Sequence, residues 1–322
     1  MFEKVRKNFG FGCMRLPMKG EEVDYAEFEK MIDLFLENGF NYFDTAHGYL
    51  GGKSETAIRD CLAARYPREK FVLTNKLTNF YFKTEAEVRP FFESQLKLCG
   101  VDYFDFYLMH AQSKENFEHF KRCRAYEQAL EFKAEGKIKH FGISFHDTAE
   151  VLEQILKEYP QIEVVQIQLN YVDYDDPAVQ SRKCLEVCNK YGKPVVVMEP
   201  VKGGNLVNLP EEAKKFVDEL GGSAASYAIR FAAGCKGVYM TLSGMSNLGQ
   251  MKDNVSFMRE FKPLGEKETQ AVENVCRVFR SMNLIPCTAC RYCTAGCPKR
   301  ISIPDLFACL NSKNIHHDWN AD

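Results

Sequence analysis

The sequence predicts an α/β fold, a closed (β/α)8 barrel (TIM barrel), with a small C-terminal helical segment that carries cysteines. Eight short apolar segments typical of buried strands alternate with eight segments of helical periodicity, and such alternation indicates a parallel sheet. The alternating part occupies roughly 250 residues, the size of a closed barrel. No G-x-G-x-x-G motif opens a strand–helix turn, which disfavours the alternative of an open doubly wound sheet.

The predicted strands are short, buried and rich in aromatic or β-branched residues. They cover residues 9–14, 40–46, 71–75, 104–109, 138–144, 164–169, 195–198 and 238–243.

The predicted helices lie between these strands and begin at acceptor residues that can cap them. Asp24, Thr84 and Asp147 each precede a glutamate by three residues, the spacing of a capping box. The helices cover residues 24–39, 54–64, 84–100, 117–135, 147–160, 177–191, 223–233 and 247–257.

The character of the chain changes after Phe261, where Pro263 and Gly265 interrupt the pattern. One more helix is predicted over residues 266–281, and cysteines crowd together after it. We therefore expect two parts, a barrel over residues 1–262 and a C-terminal segment over residues 263–322.

Charge and composition narrow the functional classes. Lys plus Arg number 42 and Asp plus Glu 44, a net charge of −2, so the chain lacks the basic excess of a nucleic-acid-binding protein. No apolar run is long enough to span a membrane, and no apolar stretch typical of a secretion signal follows the first residues. We expect a cytoplasmic protein whose 13 cysteines are free thiols or metal ligands.

Four polar side chains follow three neighbouring strands. Asp44 ends the second strand and Tyr49 lies in the next loop, while Lys76 and His110 follow the third and fourth strands. The carboxyl ends of barrel strands carry the active site in this architecture. These groups suit proton transfer to a carbonyl oxygen. The lysine ammonium is expected to lower the pKa of the phenol, and the histidine can donate a hydrogen bond to the carbonyl oxygen.

These residues belong to motifs that resemble a known family. Residues 44–55, D-T-A-H-G-Y-L-G-G-K-S-E, are similar to the D-T-A-x-x-Y…G-x-S-E signature of aldo/keto reductases, and residues 74–76 and 105–110 resemble that family's lysine and histidine strands. The resemblance covers roughly residues 8–260. It implies hydride transfer from a nicotinamide cofactor to an aldehyde or ketone, with a tetrad of Asp44, Tyr49, Lys76 and His110 in which Tyr49 is the general acid.

The resemblance also implies nine positions that bind the cofactor NAD(P)H. Ser144 and Gln166 correspond to contacts with the nicotinamide carboxamide, and Met198 replaces the family's stacking tyrosine. Ser246 replaces an arginine, so it supplies no cation for the 2′-phosphate that would create a preference for NADP. The full set is Ser144, Gln166, Met198, Gly203, Gly204, Gly244, Ser246, Gln250 and Asn254.

The cysteines after residue 281 form a second motif, C-x2-C-x2-C-x3-C followed by proline. This spacing is that of bacterial ferredoxins, in which cysteine thiolates hold a 4Fe-4S cluster. A structural zinc site, the alternative, usually divides its ligands between two separated pairs. The predicted metal ligands are Cys287, Cys290, Cys293 and Cys297. The chain therefore resembles an aldo/keto reductase with a C-terminal ferredoxin-type motif.

The fourth ligand of the cluster is open at this stage, because the fourth cysteine of such a run often binds a second cluster. Three alternatives are open. Cys297 is itself the fourth ligand, or Cys309 or Cys276 takes its place. In the third alternative, the chain is a shortened form that lacks a second cysteine run.

Two classes of function remain open. The first is an oxidoreductase that reduces a small carbonyl substrate. The second is a redox sensor or electron-transfer subunit that uses a reductase-like barrel without catalysis and meets a redox partner protein.

Overall fold

The computed structural model describes residues 2–282, 284–287 and 292–316. Strands alternate with helices through most of this part of the chain, as the sequence predicts. The strands are β1 (Phe9–Gly12), β2 (Met18–Lys19), β3 (Glu22–Val23), β4 (Tyr42–Asp44), β5 (Val72–Leu77), β6 (Phe104–Gln112), β7 (Ile138–Phe145), β8 (Val164–Gln168), β9 (Val195–Met198) and β10 (Val238–Ser243).

Eight of these strands form a closed parallel barrel in the order β1-β10-β9-β8-β7-β6-β5-β4. The barrel closes because β1 pairs with both β4 and β10, with Gly12 opposite Asp44 and Phe11 opposite Ser243. The predicted (β/α)8 barrel is therefore confirmed. The two-residue strands β2 and β3 form an antiparallel hairpin outside it.

The helices surround the barrel and continue into the C-terminal segment. They are α1 (Tyr25–Glu37), α2 (Lys53–Ile58), α3 (Glu85–Cys99), α4 (Lys114–Arg122), α5 (Ala125–Ala134), α6 (Ala149–Glu158), α7 (Ser181–Lys190), α8 (Glu211–Asp218), α9 (Ala224–Gly234), α10 (Leu248–Met258), α11 (Glu266–Ser281), α12 (Tyr292–Ala295) and α13 (Ile303–His316).

The helix predicted over residues 117–135 is wrong, because the structure has two helices there. Arg124 adopts a left-handed backbone, φ 48°, between α4 and α5. The apolar pattern runs through both helices, so periodicity alone does not reveal the break. Sequence periodicity does not predict α8, α12 or α13 either. Helix α8 buries only Ala213 and Val217, which leaves a weak periodic signal.

Helix ends follow the predicted chemistry in part. The Asp24 carboxylate accepts a hydrogen bond from Glu27 N, as a cap should. Glu27 instead accepts from Leu248 N at 2.8 Å and so joins the start of α10 to α1. Asp147 is not the cap of α6, since that helix follows Thr148 and the carboxylate accepts from Lys114 N.

Apolar side chains form two layers, one inside the barrel and one between its strands and the helices. Side chains inside the barrel include Tyr42, Phe106 and Met240, and the layer between the strands and the helices is larger. Helix α11 packs on α8 and α9 through a third cluster that contains Val275 and Phe279. No helix in residues 2–282, 284–287 and 292–316 combines the length and apolarity needed to cross a membrane.

Candidate active site

A buried ion pair lies at the carboxyl ends of β4 and β5. Lys76 Nζ is 2.5 Å from Asp44 Oδ1, and the two side chains are 0% and 4% exposed. The ammonium also donates to Thr45 O at 2.9 Å. From the opposite side of the barrel, Gln166 Nε2 donates to Asp44 Oδ2 at 3.1 Å. The carboxylate is thereby held from two sides, and the ammonium faces the end of the barrel.

Tyr49 completes this arrangement. Its hydroxyl oxygen accepts from Lys76 Nζ at 3.2 Å, and the ammonium lies 4.9 Å from the centre of the Tyr49 ring. The lowered pKa predicted from the sequence is wrong for this site. Burial, followed by the negative charge of Asp44, raises the pKa of Tyr49 well above its ordinary value near 10. The phenol therefore keeps its proton at neutral pH.

His110 enters the site through a bulge in β6. Pairing with β7 is irregular between Met109 and Gln112, and Ala111 has a left-handed backbone, φ 51°. Ser144 Oγ accepts from Ala111 N at 2.8 Å, which helps to hold this conformation. Such backbone strain persists only where neighbouring groups fix it.

The imidazole of His110 has one partner on each nitrogen. Thr78 Oγ1 is 2.7 Å from Nδ1, and the hydroxyl of Tyr292 is 2.9 Å from Nε2. Burial, then the charge of Lys76, lowers the pKa of His110 well below its usual value, so the ring is neutral and carries one N–H. Sequence reasoning missed both Thr78 and Tyr292. Thr78 directly follows β5, two residues after Lys76, and a polar residue at that end of a strand indicates a place in the site.

A cavity of about 720 Å³ opens above these groups. It is lined by most of the predicted site residues, whereas Lys76 and Ser144 lie outside its wall. The predicted residues on the wall are Asp44, Tyr49, His110, Gln166, Met198, Gly203, Gly204, Gly244, Ser246, Gln250 and Asn254. The volume and the mixed polar and apolar wall are those of a site for a small organic ligand or cofactor.

The charges on the cavity wall are mostly negative. Among its described residues, Arg15 is the one arginine or lysine, whereas Asp44, Glu199 and Asp253 are acidic. Glu199 Oε1 is 3.8 Å from Arg15 Nη1, and Glu199 Oε2 accepts from Gly203 N at 2.8 Å. Sequence reasoning missed Arg15 and Glu199, which come from loops far apart in the chain.

A second polar network supports the loop that carries Tyr49. Glu55 is fully buried and accepts from His47 Nδ1 at 2.6 Å and from Asn75 Nδ2 at 2.8 Å. Gln95 Nε2 donates to the same carboxylate at 3.1 Å. Because His47 and Tyr49 share one loop, this network fixes the loop against β5 and α3.

The cysteine motif lies partly outside the described residues, which exclude Cys290. Cys287 and Cys297 are half-buried and Cys293 is exposed. Ile301 N donates to Cys297 Sγ at 3.4 Å, and hydrogen bonds of this kind to cysteine sulfurs are common around iron–sulfur clusters. Among the residues that the structure describes, no three side chains of His, Cys, Asp or Glu form a group that could hold a metal ion.

The two alternative fourth ligands differ in their surroundings. Cys309 is exposed on α13. Cys276 is buried, its thiol donates to Tyr171 O at 3.2 Å, and burial raises its pKa to about 11. The Cys276 thiol thus has a backbone partner within the apolar cluster between α8, α9 and α11, whereas the Cys309 thiol is accessible.

Sequence and structure comparisons identify the family. The profile described as "Aldo/keto reductase family" matches residues 8–277. This chain belongs to the aldo/keto reductase family. It is 24% identical to an uncharacterized oxidoreductase from Bacillus subtilis over 82% of this chain and 91% of that protein. It is also 28% identical to the NADH-specific methylglyoxal reductase of Escherichia coli, over 54% of this chain and 57% of that one.

Solved structures have the same fold. The holo form of an aldo-keto reductase from Bacillus halodurans is 25% identical and matches with a TM-score of 0.68, over 84% of this reductase and 92% of that chain. An aldo-keto reductase from Klebsiella pneumoniae in complex with NADPH matches with a TM-score of 0.67 at 17% identity, over 83% and 90% of the two chains. At that identity the likeness concerns the fold alone.

The ion pair predicts a specific pattern of stability. Lys76→Met leaves the Asp44 carboxylate buried without its cation and should lower the free energy of unfolding by about 3–5 kcal/mol. The double variant with Asp44→Asn removes both charges and should lose less than the sum of the two single variants. Urea unfolding at pH 7 measures all three variants, and strict additivity would contradict the direct coupling of the pair.

Proposed function

We propose that this protein reduces an aldehyde or ketone with a nicotinamide cofactor, and that Tyr49 is the general acid. The observation that supports the proposal most strongly is the chain of contacts from Asp44 through the Lys76 ammonium to the Tyr49 hydroxyl, with distances of 2.5 Å and 3.2 Å. A phenol that stays protonated, beside a fixed cation, can release its proton to a developing alkoxide.

The remaining roles follow from the same geometry. When bound, the nicotinamide supplies a hydride to the carbonyl carbon. Tyr49 transfers its phenolic proton to the carbonyl oxygen, and the Lys76 ammonium stabilises the phenolate that remains. His110, neutral and with Thr78 donating to Nδ1, presents its Nε2–H to the same oxygen and stabilises the charge that develops there.

The cavity of about 720 Å³ suits a dinucleotide cofactor in size, and Arg15 supplies a cation on its wall. We assign Gln166, Met198 and the predicted residues of 203–204 and 244–254 to its binding. Ser144 contributes indirectly: its hydroxyl oxygen accepts a hydrogen bond from Ala111 N and so holds the backbone next to His110. Arg15 is the one Lys or Arg on the described wall, and its guanidinium already lies 3.8 Å from Glu199, so a further phosphate would be poorly compensated. We therefore propose a preference for NADH over NADPH.

Loss of the phenolic hydroxyl tests the role of Tyr49. Tyr49→Phe should lower kcat for methylglyoxal reduction by a factor on the order of 10²–10⁴, because the general acid is lost while the ring remains. NADH oxidation followed at 340 nm measures the effect. Tyr159→Phe removes a hydroxyl that donates to Glu127, between the outer helices, and is the matched control. Near-normal turnover of Tyr49→Phe would exclude this role.

A new cation tests the cofactor preference. Ser246→Arg should tighten NADPH binding about tenfold and leave NADH binding within twofold, since only NADPH carries the 2′-phosphate. Fluorescence titration with each nucleotide measures the two dissociation constants. Ser256→Arg introduces the same charge at an exposed position of α10 and should change neither dissociation constant. Tighter NADPH than NADH binding by the unaltered protein would contradict the proposal.

We also propose that Cys287, Cys290, Cys293 and Cys297 hold a 4Fe-4S cluster in the segment 263–322, attached to the barrel of residues 1–262. The donor set fits: the described three are exposed or half-buried thiols, and a backbone N–H already points to one sulfur. Such a cluster supplies one-electron chemistry and would exchange electrons with a redox partner. We propose a cytoplasmic location, where the reducing environment keeps cysteines available as thiolate ligands.

Cysteine replacements test the cluster and its fourth ligand. Anaerobic reconstitution should give about four iron and four sulfide per chain with a brown absorbance. Cys293→Ala and Cys297→Ala should each lose most of the iron, whereas Cys309→Ala should retain it. Iron loss in Cys309→Ala would reassign the fourth ligand, and binding of zinc without iron would overturn the cluster.

A further inference from the structure

The cysteine segment reaches the proposed catalytic histidine through one side chain. Tyr292 is the first residue of α12, between the second and third cysteines of the motif, and its hydroxyl lies 2.9 Å from His110 Nε2. The two rings meet edge to face with centres 5.9 Å apart, and the Tyr49 ring centre lies 6.2 Å from that of His110. His110 thus contacts one tyrosine from the barrel loop and one from the C-terminal segment.

The contact conflicts with the role proposed for His110. Each imidazole nitrogen makes one in-plane hydrogen bond, and Thr78 already occupies Nδ1. Nε2 is therefore the single position from which His110 can hold a carbonyl oxygen. The Tyr292 hydroxyl stands at that position, so the phenol and the carbonyl oxygen compete for one hydrogen bond.

The segment that carries Tyr292 is held by contacts of its own. Ile285 N donates to Asn311 Oδ1 at 2.8 Å, and Asn311 Nδ2 donates to Ile285 O at 2.7 Å, which pins the approach to the cysteine motif against α13. Pro286 and Tyr292 then form part of the cavity wall beside Tyr49 and His110. Loss of the Tyr292–His110 hydrogen bond would free Nε2 without any change in the barrel.

We propose that Tyr292 is a reversible cover of the carbonyl site, which occupies His110 Nε2 until a substrate oxygen displaces it. The inference rests on the proposed carbonyl reduction at Tyr49 and His110. The cover adds a requirement that the barrel alone does not impose, because each substrate must break the Tyr292–His110 hydrogen bond to enter. Compounds with a strongly accepting carbonyl oxygen are favoured by this competition.

Removal of one hydroxyl tests the cover in turnover. Tyr292→Phe keeps the ring and frees Nε2, so KM for methylglyoxal should fall about three- to tenfold, the equivalent of one hydrogen bond. The value of kcat should stay within twofold. Tyr239→Phe is the matched control, because it removes a phenol that donates to Phe2 O at the opposite end of the barrel. An unchanged or raised KM in Tyr292→Phe would overturn the proposal.

A binding measurement separates this inference from the proposed reaction. The ¹⁵N signal of His110, assigned by its loss in His110→Gln, is followed during titration with acetate, whose oxygen accepts a hydrogen bond as a carbonyl does. The midpoint should be three- to tenfold lower in Tyr292→Phe than in the unaltered protein. If no aldehyde is reduced but the midpoint falls, the proposed carbonyl reduction is wrong, whereas the competition of the Tyr292 hydroxyl for His110 Nε2 is supported. If reduction is normal and the midpoint does not change, the cover alone is wrong.

Discussion

The arrangement of this site depends on the ion pair between Lys76 and Asp44, two charges that are almost completely withdrawn from water. Burial of either charge alone costs several kcal/mol, so each residue requires the other. Adjacent parallel strands bring them together, since Asp44 is the last residue of β4 and Lys76 is the last but one of β5. Closure of the barrel adds Gln166 from β8, which is 122 residues from Asp44 in the chain. The Lys76 ammonium, fixed by this pair, donates in turn to the Tyr49 hydroxyl oxygen.

The barrel and the four polar residues at its end could be predicted because their signals are local. Alternating apolar segments mark strands and helices, and a polar residue at a strand end faces the site in this architecture. The division of α4 from α5 could not be predicted, because it depends on the backbone angle of Arg124 rather than on apolar spacing. The bulge at Ala111, which turns β6 at His110, likewise leaves no mark in hydrophobic periodicity.

Two features of the site arise only in the folded protein and could not be predicted from the sequence. A sequence shows which charges are neighbours, but it does not show how far the surrounding protein excludes water. The expected effect of Lys76 on Tyr49 is thus outweighed by desolvation, which raises the pKa of the phenol. Contacts between distant segments are hidden in the same way. Tyr292 lies 182 residues from His110, and nothing in the spacing of the cysteines indicates that this segment meets the barrel.

Carbonyl reduction at this site is tested most directly by a single turnover with methylglyoxal and NADH that carries deuterium at the transferred C4 position. Hydride transfer from NADH should place deuterium on the carbon that was the carbonyl carbon, and the hydroxyl proton of the alcohol should exchange with solvent. The same experiment with Tyr49→Phe should give little product. A reduced product without deuterium on that carbon, or oxidation of NADH without any alcohol, would contradict carbonyl reduction at this site.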